Sequence, residues 1–403
     1  MCDKFCINDS LQKIWRVWVL NGTDREVAEH ERKYYLDNIR NICILLLFPY
    51  HTAMIYNNFG ERFYVQGTEL TGAGWFVSAV YPWWMSLLFV LAGISTYYAL
   101  QHRTGVEYVK ERIHKLLIPC VSAVLLLVPV QTYLADCFHN NYSGSYFAHF
   151  NLFFQVTDLA GTDGHFTPAQ LWFALYLFLI SICMLPLTLW YQKRKNRLNG
   201  NKITIAKLLP LFLVITASAL ILDIGGKSLG EFCACFLIGY FLLSIDEVQE
   251  RLCKYAVYLG IAWFLLMIVR VASSQTWIDM SAVDRESSHV YGLLLNIFFR
   301  LYGWVGILAC MGLGKRFLSF QNKTTKYFSK ASFPLYLFHQ SILIIVGFSL
   351  VNRLPSATVE YFVIMMVTFL LSVLCYEIAR RCPMTRFLFG IKNGDGKKDV
   401  GSK

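Results

Sequence analysis

Charged residues are scarce in this 403-residue chain, in which Asp, Glu, Lys and Arg together make up 16% of the sequence. Soluble domains usually carry about 25% charged residues. Hydrophobic residues account for 56% of the chain, and the mean hydropathy is +0.45. The apolar residues also fall in blocks of roughly 20, which is the length of a helix that crosses a bilayer. The composition therefore excludes a water-soluble globular protein.

The sequence also lacks a set of Cys and His residues at metal-binding spacing, although it contains 12 Cys. Cys233 and Cys235 are separated by one residue, which is not the spacing of a zinc site. These two residues lie in apolar runs, as do Cys43, Cys183, Cys310 and Cys375, and in such runs a thiol behaves as a small hydrophobic group. A secretory signal peptide is absent too, because the early apolar stretch 14–20 is short and contains Arg16. We predict no bound metal and no bound cofactor.

Ten apolar segments are long enough to be candidate membrane spans. They predict an all-α integral membrane protein, a bundle of about ten transmembrane helices separated by polar or Gly-bearing loops. The candidate spans are residues 39–57, 75–100, 114–134, 168–190, 205–222, 229–244, 254–272, 289–313, 332–350 and 358–380.

Lys and Arg alternate from one connecting segment to the next. One set of connecting and terminal segments carries 29 of them, and the other set carries only Arg62, Lys227, Arg285 and Arg353. The long segment 135–167 has neither residue. Because cytoplasmic loops are enriched in Lys and Arg, both termini are predicted to be cytoplasmic. The formal charge of +11 is explained in this way, with the bilayer rather than nucleic acid as the partner.

This topology divides the chain into three parts. Residues 1–38 form a cytoplasmic N-terminal segment, residues 39–381 the transmembrane domain, and residues 382–403 a cytoplasmic tail that is predicted to be disordered from 393 onwards. The sequence gives no indication of the oligomeric state.

Ionisable residues within the predicted spans are candidates for function, since charge is expensive at membrane depth. Arg40 opens the first span, and His51 lies 11 residues later, about 16 Å deeper at 1.5 Å per residue. A neutral imidazole is a natural proton acceptor near neutral pH. The alternative is a packing histidine that is hydrogen-bonded to a neighbouring helix.

A second histidine and an arginine lie in later spans. His339 enters the ninth span from the same side as His51, and Arg300 lies midway along the eighth, four residues before Trp304. An arginine at that depth should face a polar interior rather than lipid. We therefore expect His339, Arg300 and Trp304 to line a pore, with an interhelical ion pair as the alternative for Arg300.

A basic stretch joins the second and third spans and contains Lys110, Arg112 and Lys115. Anchoring at the cytoplasmic surface explains most clusters of this kind. The alternative is a phosphate site for a cytoplasmic substrate, because Arg and Lys both bind phosphate. On the opposite side, Trp172 and other aromatic residues near the helix ends form either an interfacial belt or a stacking surface for a sugar.

Taken together, several short motifs resemble those of the membrane-bound acyltransferase-3 family over residues 33–392. The chain departs from the family pattern at two positions, with Ala92 in place of a serine and Lys115 in place of a second arginine. Lysine keeps the charge but loses the bidentate geometry of arginine. The matching features are Arg40 followed after ten residues by His51, Gly93 within the stretch 89–94, Arg112 and Lys115 closed by Pro119, residues 171–173, Gly239 with Tyr240, and residues 336–340.

Within that family, the chain is most similar to the branch that modifies periplasmic glucans. The features that indicate this branch are Tyr50 with His51, residues 171–173, Arg300 with Trp304, and the stretch 381–390. The resemblance implies a multi-pass protein of the bacterial inner membrane. It also implies transfer of an acyl group, acetyl or succinyl, from a cytoplasmic acyl-CoA to a hydroxyl across the membrane.

The resemblance also suggests roles for the candidate residues. His51 would be the general base, Arg40 would position the donor or stabilise charge, and Asp37 would orient Arg40. Arg112 and Lys115, with Lys110, would hold donor phosphates, while His339, Arg300, Trp304 and Trp172 would line the pore or contact the acceptor. The roles of the two histidines could be exchanged.

Other functions and several acceptors remain open at the level of sequence. Ten helices with buried charges are also ordinary for a transporter or flippase, although no inverted repeat is visible. A signalling or scaffold protein could use the same fold without chemistry. The acceptor could be a glucan, a surface polysaccharide, peptidoglycan or a small secreted metabolite.

Overall fold

The computed structural model describes residues 33–157, 159, 161–194, 198–224, 226–276 and 289–391. Most of the predicted N-terminal segment and tail, residues 1–32 and 392–403, therefore lies outside the described residues. Within the described ranges the chain is helical, apart from short 3₁₀ turns, loops and one pair of two-residue strands in which Asp223 pairs with Ser228 and Ile224 with Lys227.

The helices are numbered here in chain order. Two π-helical turns, Ile113–Leu117 and Gly239–Leu243, follow α4 and α12. The helices are α1 Tyr34–Leu45, α2 Leu47–Ile55, α3 Thr71–Gln101, α4 Gly105–Arg112, α5 Ile118–Leu126, α6 Val128–Asn140, α7 Tyr146–Phe153, α8 Trp172–Cys183, α9 Leu185–Lys193, α10 Ile205–Leu208, α11 Leu211–Ser218, α12 Leu229–Ile238, α13 Asp246–Lys254, α14 Ala256–Thr276, α15 His289–Phe317, α16 Lys323–Leu350, α17 Ala357–Ala379 and α18 Pro383–Leu388.

Six helical stretches in the described part of the chain are long and apolar enough to cross a membrane. They are Thr71–Gln101, Gly105–Asn140, Ala256–Ser273, Leu294–Phe317, Lys323–Leu350 and Ala357–Ala379. Two bent pairs raise the number to eight. Ala169–Cys183 meets α9 at 45°, and Leu229–Leu243 meets α13 at 95°. The multi-pass membrane character predicted from the sequence is confirmed.

The predicted count of ten spans is not reached by this measure. The segment 39–57 is helical but is divided into α1 and α2, and the segment 205–222 forms only the short apolar stretch Ile205–Ser218. Both segments are helical where the sequence predicted helices. They differ from the other eight because proline and polar residues shorten their continuous apolar runs.

Prolines explain most of the breaks. Pro49, Pro129 and Pro186 each lie two or three residues after a break between consecutive helices, since proline cannot donate to the carbonyl four residues before it. Backbone carbonyls near the breaks then need other donors inside a membrane. Trp84 Nε1 donates to the Cys43 carbonyl at 2.9 Å, and Ser341 Oγ donates to the Leu127 carbonyl at 3.1 Å.

The connecting segments fall into two sets at opposite ends of the bundle. At one end, here called the basic end, Lys33 pairs with Asp246, Arg251 Nη1 donates to the Gly200 carbonyl at 3.1 Å, and Asn38 Nδ2 donates to the Leu318 carbonyl at 2.8 Å. This grouping agrees with the alternation predicted from the Lys and Arg positions. That the basic end faces the cytoplasm stays a prediction.

At the other end, here called the far end, loop residues are joined in the same way. His139 Nε2 donates to the Phe63 carbonyl at 2.7 Å, and the Tyr176 hydroxyl donates to the Lys227 carbonyl at 3.1 Å. Tyr56, which follows α2, donates to the buried carboxylate of Glu360 at 3.1 Å.

Two glycines allow α3 to pack closely against the segment that follows α12. Gly93 faces the backbone of Phe236 and Tyr240, and Gly239 faces the backbone of Val90. A Cβ atom at either position would overlap main-chain atoms. Small residues at helix crossings serve this purpose in membrane proteins. The close approach of the two backbones therefore explains why glycine occurs at positions 93 and 239.

The C-terminal residues that the structure describes are packed against the bundle. The helix α18 follows the last long helix, and Phe389 and Ile391 after it are both 8% exposed. Phe389 packs edge-on against Phe338 of α16, with ring centroids 4.8 Å apart. The predicted tail 382–403 therefore begins with a docked segment that extends to at least residue 391.

Candidate active site

The structure brings the two predicted histidines into direct contact. His51 lies on α2 and His339 on α16, and His51 Nδ1 is 3.1 Å from His339 Nε2. The second ring nitrogen of His339, Nδ1, lies 2.8 Å from the Tyr336 carbonyl oxygen. His339 is 1% exposed, whereas His51 is half-buried.

These contacts assign the proton positions of the neutral pair. A carbonyl oxygen can only accept, so His339 Nδ1 must carry a proton. In a neutral imidazole the other nitrogen is then an acceptor, and His51 Nδ1 must donate to it. His51 Nε2 is left with an unprotonated lone pair, which is the arrangement of a general base whose partner fixes its tautomer.

Aromatic rings surround the histidine pair. Phe63 stacks on His51 with centroids 6.4 Å apart, and Phe48 packs edge-on against His339 at 6.0 Å. His51 is only one turn before the end of α2 at Ile55, and Phe63 belongs to the loop that follows. The pair therefore lies nearer the far end of the bundle than the basic end.

A buried polar network holds α16 in place beside His339, and the sequence analysis did not identify it. Gln131 Nε2 donates to Ser341 Oγ at 2.7 Å, Gln340 Nε2 donates to Gln131 Oε1 at 3.3 Å, and Gln170 Nε2 donates to the Leu337 carbonyl at 3.1 Å. The sequence does carry a signal for this network, namely glutamines within apolar segments, because a buried amide must find hydrogen-bond partners.

A cavity of about 1630 Å³ extends from the basic end into the bundle. Six cationic and four carboxylate side chains line it, together with apolar residues such as Leu88 and Tyr336. Neither histidine lines the cavity, but Tyr336 does, and its carbonyl holds His339. The charged side chains lining the cavity are Lys33, Asp37, Arg40, Arg103, Glu111, Arg112, Lys115, Asp246, Glu247 and Lys330.

Arg40 projects into this cavity with two partners. Its Nη1 donates to Asp37 Oδ1 at 2.9 Å, and its Nη2 donates to Ser95 Oγ at 2.9 Å. Asp37 is therefore in direct contact with Arg40, and its role in orienting Arg40 stays a prediction. Ser95 was not predicted. It lies three residues after Ala92, so both line the cavity from the same face of α3.

The basic stretch after α3 divides into paired and unpaired cations. Glu111 forms ion pairs with both Arg103 and Lys115. Arg112 forms no ion pair with any described residue. Its Nη2 donates to Thr96 Oγ1 at 3.3 Å, its guanidinium lies 4.6 Å from the Tyr108 ring centroid, and its buried Nε has no acceptor.

The third member of the predicted donor site lies elsewhere. Lys110 is exposed and is not among the residues that line the cavity. The structure therefore brings Arg112 and Lys115 to the cavity and leaves Lys110 at the surface.

Arg300 forms the interhelical ion pair that the sequence left as an alternative. Its partner is Glu231 of α12, which also accepts a hydrogen bond from Ser86 Oγ at 3.2 Å. The Tyr81 side chain of α3 lies close to both Glu231 and Arg300. Glu231 was not predicted because the spacing Ser228-x-x-Glu231 is typical of a helix N-cap, and Ser228 does cap α12.

The two predicted tryptophans have different environments. Trp172 is half-buried at the far end, with its ring 5.3 Å from Phe232 and 5.5 Å from Lys227 Nζ. Trp304 is 1% exposed and donates from Nε1 to the Leu208 carbonyl at 2.9 Å. Trp304 is therefore packed between helices, and only Trp172 is open to a ligand.

Comparisons with known proteins identify the family of this chain. A family model described as an acyltransferase domain matches residues 33–377. Glucans biosynthesis protein C of Salmonella heidelberg is 23% identical over 404 residues, with 90% of this chain and 95% of the relative covered. The protein of the same name from Shigella dysenteriae serotype 1 is 25% identical over 395 residues with the same coverage.

No solved structure is significantly similar to the chain. The family model nevertheless covers most of the sequence, including both histidines, Arg40, Arg112 and Arg300. The multi-pass helical architecture is consistent with it. The chain belongs to the acyltransferase-3 family of membrane-bound acyltransferases.

Proposed function

We propose that this acyltransferase moves an acetyl or succinyl group from acyl-CoA to a hydroxyl of a cell-envelope glycan. In this proposal the basic end faces the cytoplasm of a bacterial inner membrane, and the donor enters the cavity there. The hydrogen-bonded pair of His51 and His339 carries the proposal, because it leaves one basic nitrogen on a half-buried residue. The names of the related proteins suggest a glucan as the acceptor.

The reaction needs a base for the incoming hydroxyl. His51 Nε2 takes the hydroxyl proton while the oxygen attacks the thioester carbonyl, and the C–S bond of the tetrahedral intermediate then breaks. The imidazolium returns its proton to the leaving thiolate, so the products are an ester and CoA thiol. A general base of this kind contributes about 10²–10⁴-fold. His339 acts through His51, as a positioning residue.

Arg40 has a role away from the reacting carbonyl in this proposal. It lies 11 residues before His51 on the same broken helix, which corresponds to about 16 Å along the axis. A guanidinium at that distance cannot stabilise the oxyanion beside His51. Arg40, held by Asp37 and Ser95, instead positions the arm of the donor.

Arg112 is the cation best placed for the phosphates of the donor. It forms no ion pair in the described part of the chain, and the buried Nε without an acceptor offers a donor to a phosphate oxygen. Lys115 and Arg103 share Glu111 and add a weaker, solvent-screened contribution. The acceptor approaches from the far end, where Trp172 offers an aromatic face and the Arg300–Glu231 pair offers polar groups.

The test is acyl transfer by purified protein in nanodiscs, with radiolabelled acetyl-CoA or succinyl-CoA and a glucan oligosaccharide. Labelled ester on the glucan should appear with the wild type and fall at least 100-fold with His51→Gln, which cannot act as a base. Uptake of the oligosaccharide into sealed proteoliposomes containing the same protein, without covalent product, would instead indicate a transporter and contradict the proposal.

A further inference from the structure

A cluster of aromatic rings lines the cavity at the basic end, and the proposed reaction does not use it. Tyr97 of α3, Tyr191 of α9 and Phe241 of the π-helical turn after α12 are each half-buried and line the cavity. All three pack around Tyr240, which is 0% exposed and donates to the Thr188 carbonyl at 3.0 Å. These three lining residues are called the mouth aromatics below.

The mouth aromatics are held in fixed positions. The rings of Tyr191 and Phe241 meet edge to face at 4.8 Å, and the ring of Tyr97 lies 5.6 Å from that of Tyr240. The Tyr191 hydroxyl accepts a hydrogen bond from the Leu198 amide at 3.2 Å. Rings held in this way expose aromatic surface without losing much conformational entropy when a ligand binds.

An interfacial belt does not explain these rings, because they line the cavity. The adjacent Trp190 is the belt residue on this helix: it is 51% exposed, and Arg194 stacks over it at 3.7 Å. Aromatic side chains one position apart thus face different surroundings. The outward ring of Trp190 suits the bilayer interface, and the inward ring of Tyr191 suits a ligand.

The unpaired guanidinium of Arg112 belongs to the same part of the cavity. Thr96, which accepts from Arg112, is adjacent in sequence to Tyr97, and Tyr108 below the guanidinium is in the same apolar cluster as Tyr240. Leu88, deeper in the cavity, is nine residues before Tyr97 on α3, or about 13 Å along the helix. A ligand with a flat ring, then anionic groups and then a long arm would match the order of the mouth aromatics, Arg112 and Leu88 along the cavity.

We infer that the mouth aromatics bind the adenine base of the nucleotide-bearing donor. The base stacks against Tyr191, Tyr97 and Phe241, the adjacent diphosphate contacts Arg112, and the arm runs past Arg40 and Leu88 towards Tyr336. Aromatic side chains bind a base through its π face. The inference rests on the proposed function, because it takes acyl-CoA as the donor of the same cavity.

The test compares ligands with and without the base, in the absence of acceptor. Binding of CoA and of 4′-phosphopantetheine, which lacks the nucleoside, is measured by displacement of labelled CoA from protein in nanodiscs. Tyr191→Leu and Phe241→Leu should each weaken CoA binding about 10-fold, as expected for loss of one stacking partner. Neither should change the affinity for 4′-phosphopantetheine, which also shows that the cavity is intact.

Two matched variants serve as controls. Tyr191→Phe keeps the ring and loses only the contact with the Leu198 amide, so it should bind CoA more tightly than Tyr191→Leu. Trp190→Leu removes the outward ring and should bind CoA like the wild type. Equal weakening of both ligands, or no weakening of CoA, would overturn the inference while leaving CoA as the donor. If the wild type does not bind CoA, the donor assignment and the inference both fail. If the expected pattern appears without acyl transfer, only the proposed reaction fails.

Discussion

The hydrogen bond between the two histidines makes their roles separable by experiment. In the proposed reaction His51 is the base and His339 accepts its hydrogen bond, so the two positions should respond differently to substitution by glutamine. His51→Gln removes the lone pair and should reduce turnover by about 10²–10⁴-fold. His339→Gln retains an amide oxygen that accepts from His51 Nδ1, and it should keep most of the activity.

The effect of a smaller side chain at position 339 follows from the same geometry. His339→Ala removes one hydrogen bond to His51, and a hydrogen bond of this kind contributes about 0.5–1.5 kcal/mol. The upper value corresponds to roughly 10-fold in rate. Because His339 is 1% exposed and contacts Phe48, truncation also leaves a cavity that should lower the free energy of unfolding by about 2–4 kcal/mol.

The assay is transfer of labelled acetyl from acetyl-CoA to a glucan oligosaccharide, with thermal stability measured on the same preparations. The exposed His114 provides a control, and His114→Gln should match the wild type. The double variant His51→Gln/His339→Gln should be no slower than His51→Gln alone, since His339 acts only through His51. A fall of 100-fold or more in His339→Gln, with substantial turnover in His51→Gln, would reverse the two roles and refute the proton assignment.

Three further predictions concern the cations of the cavity, the buried ion pair and the membrane orientation. Arg112→Gln should raise the KM for acyl-CoA at least 10-fold, whereas Lys115→Arg should change it less than 3-fold, because Lys115 already shares Glu111 with Arg103. Equal effects of the two substitutions would indicate that both residues only anchor the protein at the membrane surface. Arg300→Met alone should destabilise the protein by about 3–5 kcal/mol, because it leaves the charge of Glu231 uncompensated. The double variant Arg300→Met/Glu231→Met should recover thermal stability. If stability is not recovered, neither residue is the main partner of the other. A topology reporter inserted at Ser145 should report the outside and one fused after Lys403 the cytoplasm, and a cytoplasmic signal at Ser145 would overturn the proposed orientation.

The positions of the helices were predictable because hydrophobic length is a local property. Each of the ten apolar segments contains helix, and several described connecting segments that are rich in Lys and Arg contact one another. The number of spans was less predictable, since it depends on how helices bend. Pro49 divides the first segment and Pro186 bends the fourth, and neither angle is fixed by composition.

The site was predictable only as a set of residues. The sequence singled out His51 and His339 but left their roles interchangeable, because the tautomer depends on the Tyr336 carbonyl and on a contact between helices 288 residues apart. Glu231 lies in the first turn of α12, where the Ser228 cap accepts its backbone amide, yet its carboxylate pairs with Arg300 of a distant helix. Such pairings depend on tertiary packing, which one sequence does not specify.

Under the proposed function, the distances within the bundle explain how one protein can join a donor and an acceptor from opposite sides of a membrane. The hydrocarbon core of a bilayer is about 30 Å thick. Arg40 lies on the cavity wall, and His51 is about 16 Å further along the same broken helix and one turn from its far end. A donor whose phosphates stay at Arg112 therefore needs only its arm to cover this interval. Under the proposed orientation, the donor carries the acyl group across about half of the hydrocarbon core, and the glycan never has to enter the cytoplasm.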